Sequence, residues 1–239
     1  GEARDAGIHD ARKAFKKIRA VLRLVRPELG SAYQHENAWF RDSARDLSDL
    51  RDAQAVLESF DKLREAFPDQ MNGQGFGEIR SALERRRARI GHNDGELVRN
   101  AERVRENLQD VRRRIAGWDL KHEGFAAIGP GLRKTYGRGR RARVIAYRSS
   151  SDEDFHEWRK RVKYHWYHVR LLQDVWAPVM KSYCRSLKEL ADMLGDDHDL
   201  VVVKQILAEP NFDLDDKAAL SACTGLIDGR QGQLRAAAR

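Results

Sequence analysis

The chain has 239 residues, of which 41% are hydrophobic and 34% are charged, a balance typical of a globular protein and too apolar for a disordered one. Its formal net charge of +8 and its pI of about 9.6 indicate an anionic partner, such as nucleic acid, polyphosphate or a membrane surface. The two cysteines, Cys184 and Cys223, form no CxxC pair, which argues against a disulfide framework and a thiolate zinc site and favours a reducing cytoplasm.

The sequence shows no sign of a membrane span or a secretory signal. No apolar run is long enough to cross a bilayer. The first apolar residues are interrupted by four cations, Arg12, Lys13, Lys16 and Lys17. We therefore expect a cytoplasmic protein that does not insert into membranes.

Helical periodicity runs through nearly the whole chain, and alternating runs of β-branched residues are absent. The pattern predicts helices over 8–26, 31–67, 76–90, 95–117, 132–148, 152–174, 176–208 and 214–236. The long second stretch is expected to bend near Asp49–Asp52. Residues 70–77 and 91–95 are predicted as a loop and a turn. The glycine-rich segment around GPG (129–131), interpreted as a turn, predicts a linker over 118–131 between two helical halves, 1–117 and 132–239.

An internal repeat relates the two halves. The pattern His-x-x-Arg-Lys-x-x-Lys occurs at His9 and again at His156, an offset of 147 residues. The same offset aligns Asp49 with Asp196 and Asp52 with Asp199 on the following helices. Because one register holds across a helix, a turn and a second helix, the repeat indicates two similar helical halves.

Each copy of the repeat carries a basic stripe on one helix face. In the first copy, the cations fall within roughly 120° of one another on a helical wheel, opposite Phe15, Ile18 and Leu22. The first stripe spans about 21 Å, which suits a row of phosphates better than one small ligand. The second copy and the helix before it carry similar acid-free runs, at 159–170 and 133–148. If the halves pack about a pseudo-twofold axis, the stripes can face each other across one groove.

Other kinds of site fit the sequence less well. The four residues of DDHD (196–199) cannot all converge on one ion, because adjacent helical residues point about 100° apart. GQGFG (73–77) has no following Lys-Ser/Thr and no preceding strand, so it is not a nucleotide loop. Trp158 and Trp166 recur at helical spacing with Phe155 and Val162, which favours a core position over base stacking.

The two-copy motif resembles the CHAD domain (conserved histidine α-helical domain) over about residues 5–236. HEWRKRVKYHWYHVRLL (156–172) is similar to the family's second-half signature. RDLSDLRDAQAV (45–56), ADMLGDDHDLVVV (191–203) and GLRKTYGRGRRA (131–142) resemble further family segments. The resemblance implies one CHAD domain over 1–239, all-α, with two four-helix bundles related by a pseudo-twofold axis and a central basic groove that binds inorganic polyphosphate.

The resemblance also assigns the groove residues. One wall would carry His9, Arg12, Lys13, Lys16, Arg19 and Arg23. The other wall would carry His156, Arg159, Lys160, Lys163 and Arg170. Arg133 and Arg140 are weaker candidates on the helix between. Trp166 stands where the first copy has Arg19, so the second wall is expected to be less charged.

We therefore expect a non-enzymatic polyphosphate-binding module without catalytic residues, metal, cofactor or obligate protein partner, located in the cytoplasm and at polyphosphate granules. Two alternatives stay open. The same stripes could bind RNA or DNA, although no recognition-helix or RNA-module signature is present. The pairs His9-Asp10 and His198-Asp199 invite comparison with metal-dependent phosphohydrolases, although their surroundings are rich in arginine.

Overall fold

The computed structural model describes residues 2–47, 49–91 and 94–239, and these ranges form ten helices and no strand. The helices are α1 (Glu2–Leu24), α2 (Arg26–Leu29), α3 (Ala32–Arg45), α4 (Asp49–Ala66), α5 (Gln74–Gly91), α6 (Asp94–Ala116), α7 (Gly124–Ser149), α8 (Asp152–Leu171), α9 (Ala177–Leu207) and α10 (Lys217–Ala237). The all-α prediction is confirmed.

The stretch predicted as one bent helix over 31–67 is two helices. The break lies at Asp46 and Leu47, just ahead of the predicted bend, and Ser48 lies outside the described residues. Pro27 stands in the first turn of the short α2, and Gly30 ends that helix with a φ of 53°. α5 begins at Gln74, inside the predicted loop. In the predicted turn over 91–95, residues 92 and 93 lie outside the described residues.

The turn predicted at GPG is wrong, because α7 begins at Gly124 and runs through this segment as a helix. Pro130 removes one backbone N–H but is tolerated inside the helix. The glycines around it serve packing. A Cβ on Gly129 would lie 2.8 Å from the Phe125 ring, and one on Gly131 would lie 1.9 Å from the carbonyl oxygen of Leu24. These glycines therefore mark close contacts rather than a turn.

The chain divides into two compact units that do not follow the two halves of the repeat. One unit contains Gly1–Ser48 and Asp94–Lys188, and the other contains Asp49–Asn93 and Glu189–Arg239. Each unit therefore combines one terminal segment with one internal segment that is distant from it in the sequence. Both basic repeat helices, α1 and α8, belong to the first unit.

The first unit has an apolar core between α1, α3 and α6, to which Phe15, Leu22, Phe40 and Val111 contribute. A second layer is formed by α7 and α8, where Phe155, Trp158 and Val162 are buried. The buried Glu36 of α3 accepts two hydrogen bonds from Arg114 of α6, at 2.6 and 3.0 Å. This bidentate pair fixes the register of α6 on α3.

α8 begins where the sequence supplies a strong start signal. The Ser151 hydroxyl accepts a hydrogen bond from the Asp154 backbone N–H at 3.2 Å. Asp152, Glu153 and Asp154 place negative charge in the first turn, where the helix dipole favours it. The acidic start and the basic body of α8 are therefore parts of one well-capped helix.

The second unit packs α4, α5, α10 and the end of α9 around Phe60, Leu63, Ile79, Val203 and Ile227. The DDHD sequence lies in this unit. Asp196 accepts a hydrogen bond from Lys62 at 2.8 Å, and the buried Asp197 accepts one from Arg235 at 2.7 Å. These two carboxylates are therefore committed to cations on different helices. No helix among the described residues is long and apolar enough to span a bilayer.

Candidate anion-binding site

The basic stripe of α1 lies on the face of the helix away from its core residues. Phe15 and Leu22 are buried, whereas His9, Lys13 and Lys16 are exposed. Arg12, Arg19 and Arg23 are half-buried. The predicted division of α1 into an apolar face and a cationic face is confirmed.

Arg19 and Arg23 are held by defined contacts at the C-terminal end of the stripe. Arg19 donates from Nε to the side-chain oxygen of Asn37 at 3.3 Å. Arg23 donates from Nη1 to the carbonyl oxygen of Arg19 at 2.7 Å. The Arg23 guanidinium also stacks on the Tyr164 ring of α8, with its carbon 3.8 Å from the ring centroid. These contacts orient Arg23 toward the junction with α8.

α1 and α8 cross at a buried hydrogen bond. The His168 ring nitrogen Nε2 lies 2.8 Å from the carbonyl oxygen of Ala20, so it is the donor. Burial lowers the pKa of His168, which keeps the ring neutral. Because Ala20 contacts His168 and Arg23 contacts Tyr164, the helices run antiparallel here. The two stripes therefore extend in opposite directions from a shared junction.

At this junction a narrow cleft, here called the Arg23 cleft, gathers cations from four helices. Its cations are Arg23 of α1, Arg26 of α2, Lys134 and Arg138 of α7, and Arg161 of α8. Tyr33 and Tyr164 provide aromatic walls, and the Arg26 guanidinium lies 4.6 Å from the Tyr33 ring centroid. None of the residues lining the cleft, all of which the structure describes, is acidic.

The close approach of α7 to α1 makes this gathering of cations possible. Gly131 leaves no space for a side chain next to Leu24, so the two backbones touch. One and two turns further along α7, Lys134 and Arg138 lie on the same face as Gly131. The glycine thereby places two cations beside the end of the α1 stripe.

The electrostatics of the cleft favour an incoming anion. Burial lowers the pKa of Arg23, and the nearby charges of Arg19 and Arg161 lower it further, although Tyr164 and Tyr33 act in the opposite direction. An arginine side chain nevertheless stays protonated in water at neutral pH. A bound negative charge would therefore stabilise the Arg23 guanidinium in this cleft.

The cations of the second stripe are less exposed, and more of them are paired with a carboxylate, than the sequence suggested. Its cations are half-buried except for the exposed Arg170. Glu157, just before the acid-free run, forms an ion pair with Lys160 at 2.5 Å and another with Arg161. Sequence reasoning missed this carboxylate because it counted acids only within the run, whereas i, i+3 and i, i+4 neighbours lie on the same helix face.

Histidine 156 sits at the start of this stripe in a cationic environment. Burial lowers its pKa, and the charges of Lys160 and Arg159 lower it further. The ring is therefore neutral in the free protein near pH 7. An anion bound beside it would raise that pKa again.

Arg133 and Arg140, the weaker groove candidates on α7, are exposed and do not line the Arg23 cleft. Arg140 lines a different surface, with Arg141, Val144 and Ile145. Lys134 and Arg138 line the Arg23 cleft instead. The spacing of Gly131, Lys134, Thr135 and Arg138 is the i, i+3, i+4, i+7 signal that could have identified this face.

Among the aromatic residues of α8, Trp158 is buried in the core as predicted. Trp166 is only partly buried and packs on Tyr167, with ring centroids 4.7 Å apart. The face of Tyr164 is covered by Arg23. The Tyr164 ring therefore supports a guanidinium.

A family model described as the CHAD domain matches residues 1–208 of the chain. No curated protein and no solved structure matches the chain.

Proposed function

Because the chain belongs to the CHAD domain family, we propose that it binds inorganic polyphosphate on the basic surface of α1 and α8, with the Arg23 cleft as a central element. The observation that carries the proposal is the cleft itself, where cations of four helices converge and no acid lines the space. The family is consistent with this ligand.

The chemistry of the surface suits a linear chain of phosphates. Each internal phosphate carries one negative charge and presents oxygens that accept charge-assisted hydrogen bonds from Lys and Arg. Arginine can contact two oxygens at once through its planar fork. Polyphosphate has no sequence to read, so binding requires matching charge along a line and no base-specific contacts.

The proposed role is binding rather than turnover. The residues assigned to it are the candidate groove residues of α1 and α8 together with Arg26, Lys134, Arg138 and Arg161 of the cleft. A location at polyphosphate granules would follow from such binding and forms part of the proposal. Phosphate release from polyphosphate in the presence of Mg²⁺ or Mn²⁺ would contradict the non-enzymatic role.

The proposal is tested by fluorescence polarisation with labelled long-chain polyphosphate at physiological salt, competed by RNA and duplex DNA at matched phosphate concentration. We expect displacement by unlabelled polyphosphate at far lower concentrations than by nucleic acid. Equal displacement by all three would favour the nucleic-acid alternative, in which the stripes act as a general electrostatic surface.

The double variant Lys16→Glu, Lys163→Glu tests whether the two stripes form the binding surface. We expect it to weaken polyphosphate binding by about tenfold or more, because it places negative charge in both stripes. The matched control is Lys121→Glu, Lys217→Glu, which changes the net charge equally at exposed positions outside the stripes. An equal loss in both variants would show that net charge, rather than this surface, governs binding.

A further inference from the structure

We propose that the Arg23 cleft takes the end of a phosphate chain, binding a terminal phosphoryl group, whereas the exposed part of the α1 stripe contacts internal phosphates. This inference rests on the proposed function and adds a ligand class to it. Short oligophosphates, such as pyrophosphate and tripolyphosphate, would then bind the cleft in their own right.

The shape of the cleft favours a chain end. Gly131, one of the lining residues, lies so close to the carbonyl group of Leu24 that no side chain fits between them. Tyr33 and Thr135, which also line the cleft, are buried, with 8% and 6% of their surfaces exposed. Lys134 and Arg138 are exposed and stand at the opening. The enclosed space is only about 20 Å³, so an oxygen of a terminal phosphoryl group can enter it while the rest of the group stays among the cations of the rim.

The two arginines nearest the walls are oriented by stacking. Arg23 lies on Tyr164 and Arg26 lies on Tyr33. A stacked ring contacts the face of a guanidinium and leaves the N–H groups in its plane to donate hydrogen bonds. Two arginines held in this way present preorganised donors to a small anion, which lowers the entropic cost of binding it.

Charge distinguishes an end group from an internal one. A terminal phosphoryl group has a second ionisation with a pKa near 6 and carries about −1.5 to −2 at pH 7, whereas an internal phosphate carries a single charge. The cleft concentrates five cations without a lining acid, and of these five only Arg161 forms an ion pair with a residue that the structure describes, Glu157. The more highly charged group therefore gains more from entering this space.

The test compares polyphosphate of one chain length in two forms, with free ends and with both ends blocked as phosphoramidates of a neutral amine. Competition against labelled long-chain polyphosphate at pH 7.5 gives the affinity of each form. We expect blocking to weaken binding by about tenfold, because it removes one ionisation and the oxygens that accept the most hydrogen bonds. A further expectation is that tripolyphosphate competes more strongly than blocked chains at equal phosphate concentration.

A matched pair of variants on α7 tests whether the preference for free chain ends arises in the Arg23 cleft. Lys134→Gln, Arg138→Gln removes two cations from the cleft, and Arg133→Gln, Arg140→Gln removes two cations from the exposed outer surface of the same helix. We expect the first variant to bring the ratio of free-end to blocked-end affinity close to one. The second should lower both affinities by a common factor and keep the ratio.

The outcomes separate the two proposals. If free and blocked chains bind wild-type protein equally well, the chain-end inference is wrong and polyphosphate binding stands. If neither form binds, the proposed function itself is wrong. If the ratio persists in Lys134→Gln, Arg138→Gln, chain ends are recognised outside this cleft and the assignment is overturned.

Discussion

Arg23 shows how a cation can be kept charged and available at a helix junction. Its side chain donates to the Arg19 carbonyl group and stacks on Tyr164, and neither contact neutralises its charge. Burial and neighbouring cations lower its pKa. Such a residue costs stability in the free protein, and a bound anion would offset that cost, which would couple ligand binding to the packing of α1 on α8.

Tyr164 is expected to act on binding through its ring rather than its hydroxyl group. Replacement by Phe keeps the surface on which Arg23 stacks, so we expect polyphosphate affinity within about twofold of wild type. Replacement by Leu removes the aromatic ring and should weaken binding by about three- to tenfold, since a cation–π contact contributes about 0.5–2 kcal/mol. Titration of both variants by fluorescence polarisation measures the difference, and thermal melting checks that the Leu variant is folded. A loss as large in Phe as in Leu would assign the role to the hydroxyl group.

His156 should make binding depend on pH. Its pKa is lowered in the free protein, and a nearby phosphate would raise it, so binding takes up a proton. The affinity of wild-type protein for long chains with blocked ends, which lack the second ionisation of a terminal phosphate, should therefore rise as the pH falls from about 7.5 to 5.5, through the ordinary pKa of histidine. The variant His156→Gln should show a smaller rise over the same interval. Identical pH profiles for the two proteins would exclude a phosphate next to this ring.

Among the elements, α7 is positioned by one residue without a side chain. We expect Gly131→Ala to destabilise the protein by about 1–3 kcal/mol, because its Cβ would overlap the Leu24 carbonyl oxygen and force α7 away from α1. The control is Gly137→Ala on the same helix, where the nearest atom to a Cβ is the end of Arg141 at 3.9 Å. That change should be neutral or stabilising by up to about 1 kcal/mol, as expected for alanine in a helix. Urea unfolding measures the change in the free energy of unfolding for each variant. Equal changes would contradict the close contact between Gly131 and Leu24.

The element boundaries show which local signals are reliable. The start predicted for the helix over 152–174 is confirmed at Asp152, where the Ser151 cap and a charged first turn act within the helix itself. The composition of GPG predicts a turn, yet this segment lies inside α7. Glycine and proline indicate a turn only when no neighbouring element compensates, and here Leu24 and Phe125 fill the space that the glycines leave.

At the scale of the whole molecule, the proposal places the ligand on the unit that contains α1, α7 and α8. Hydrogen exchange measured with and without polyphosphate should show increased protection in α1 (Glu2–Leu24) and α8 (Asp152–Leu171). α10 (Lys217–Ala237), in the other unit, serves as the internal reference and should change little. Protection centred on α10 would move the binding surface to the second unit.

The sequence by itself determined the all-α fold, the cationic face of α1 and the internal repeat. These features depend on helical periodicity, which relates residues three and four positions apart and can be counted along the chain. The same reasoning placed Trp158 in the core, where the structure finds it.

Only the tertiary structure decided which cations meet. Arg23, Arg26, Lys134 and Arg161 are far apart in sequence, and their convergence depends on the Gly131 contact and on the antiparallel crossing at His168. It also decided that Arg133 and Arg140 lie outside the cleft and that Glu157 neutralises part of the second stripe. A helix face can be predicted from spacing within one helix, but the partner of that face is fixed by packing between helices, which local spacing does not encode.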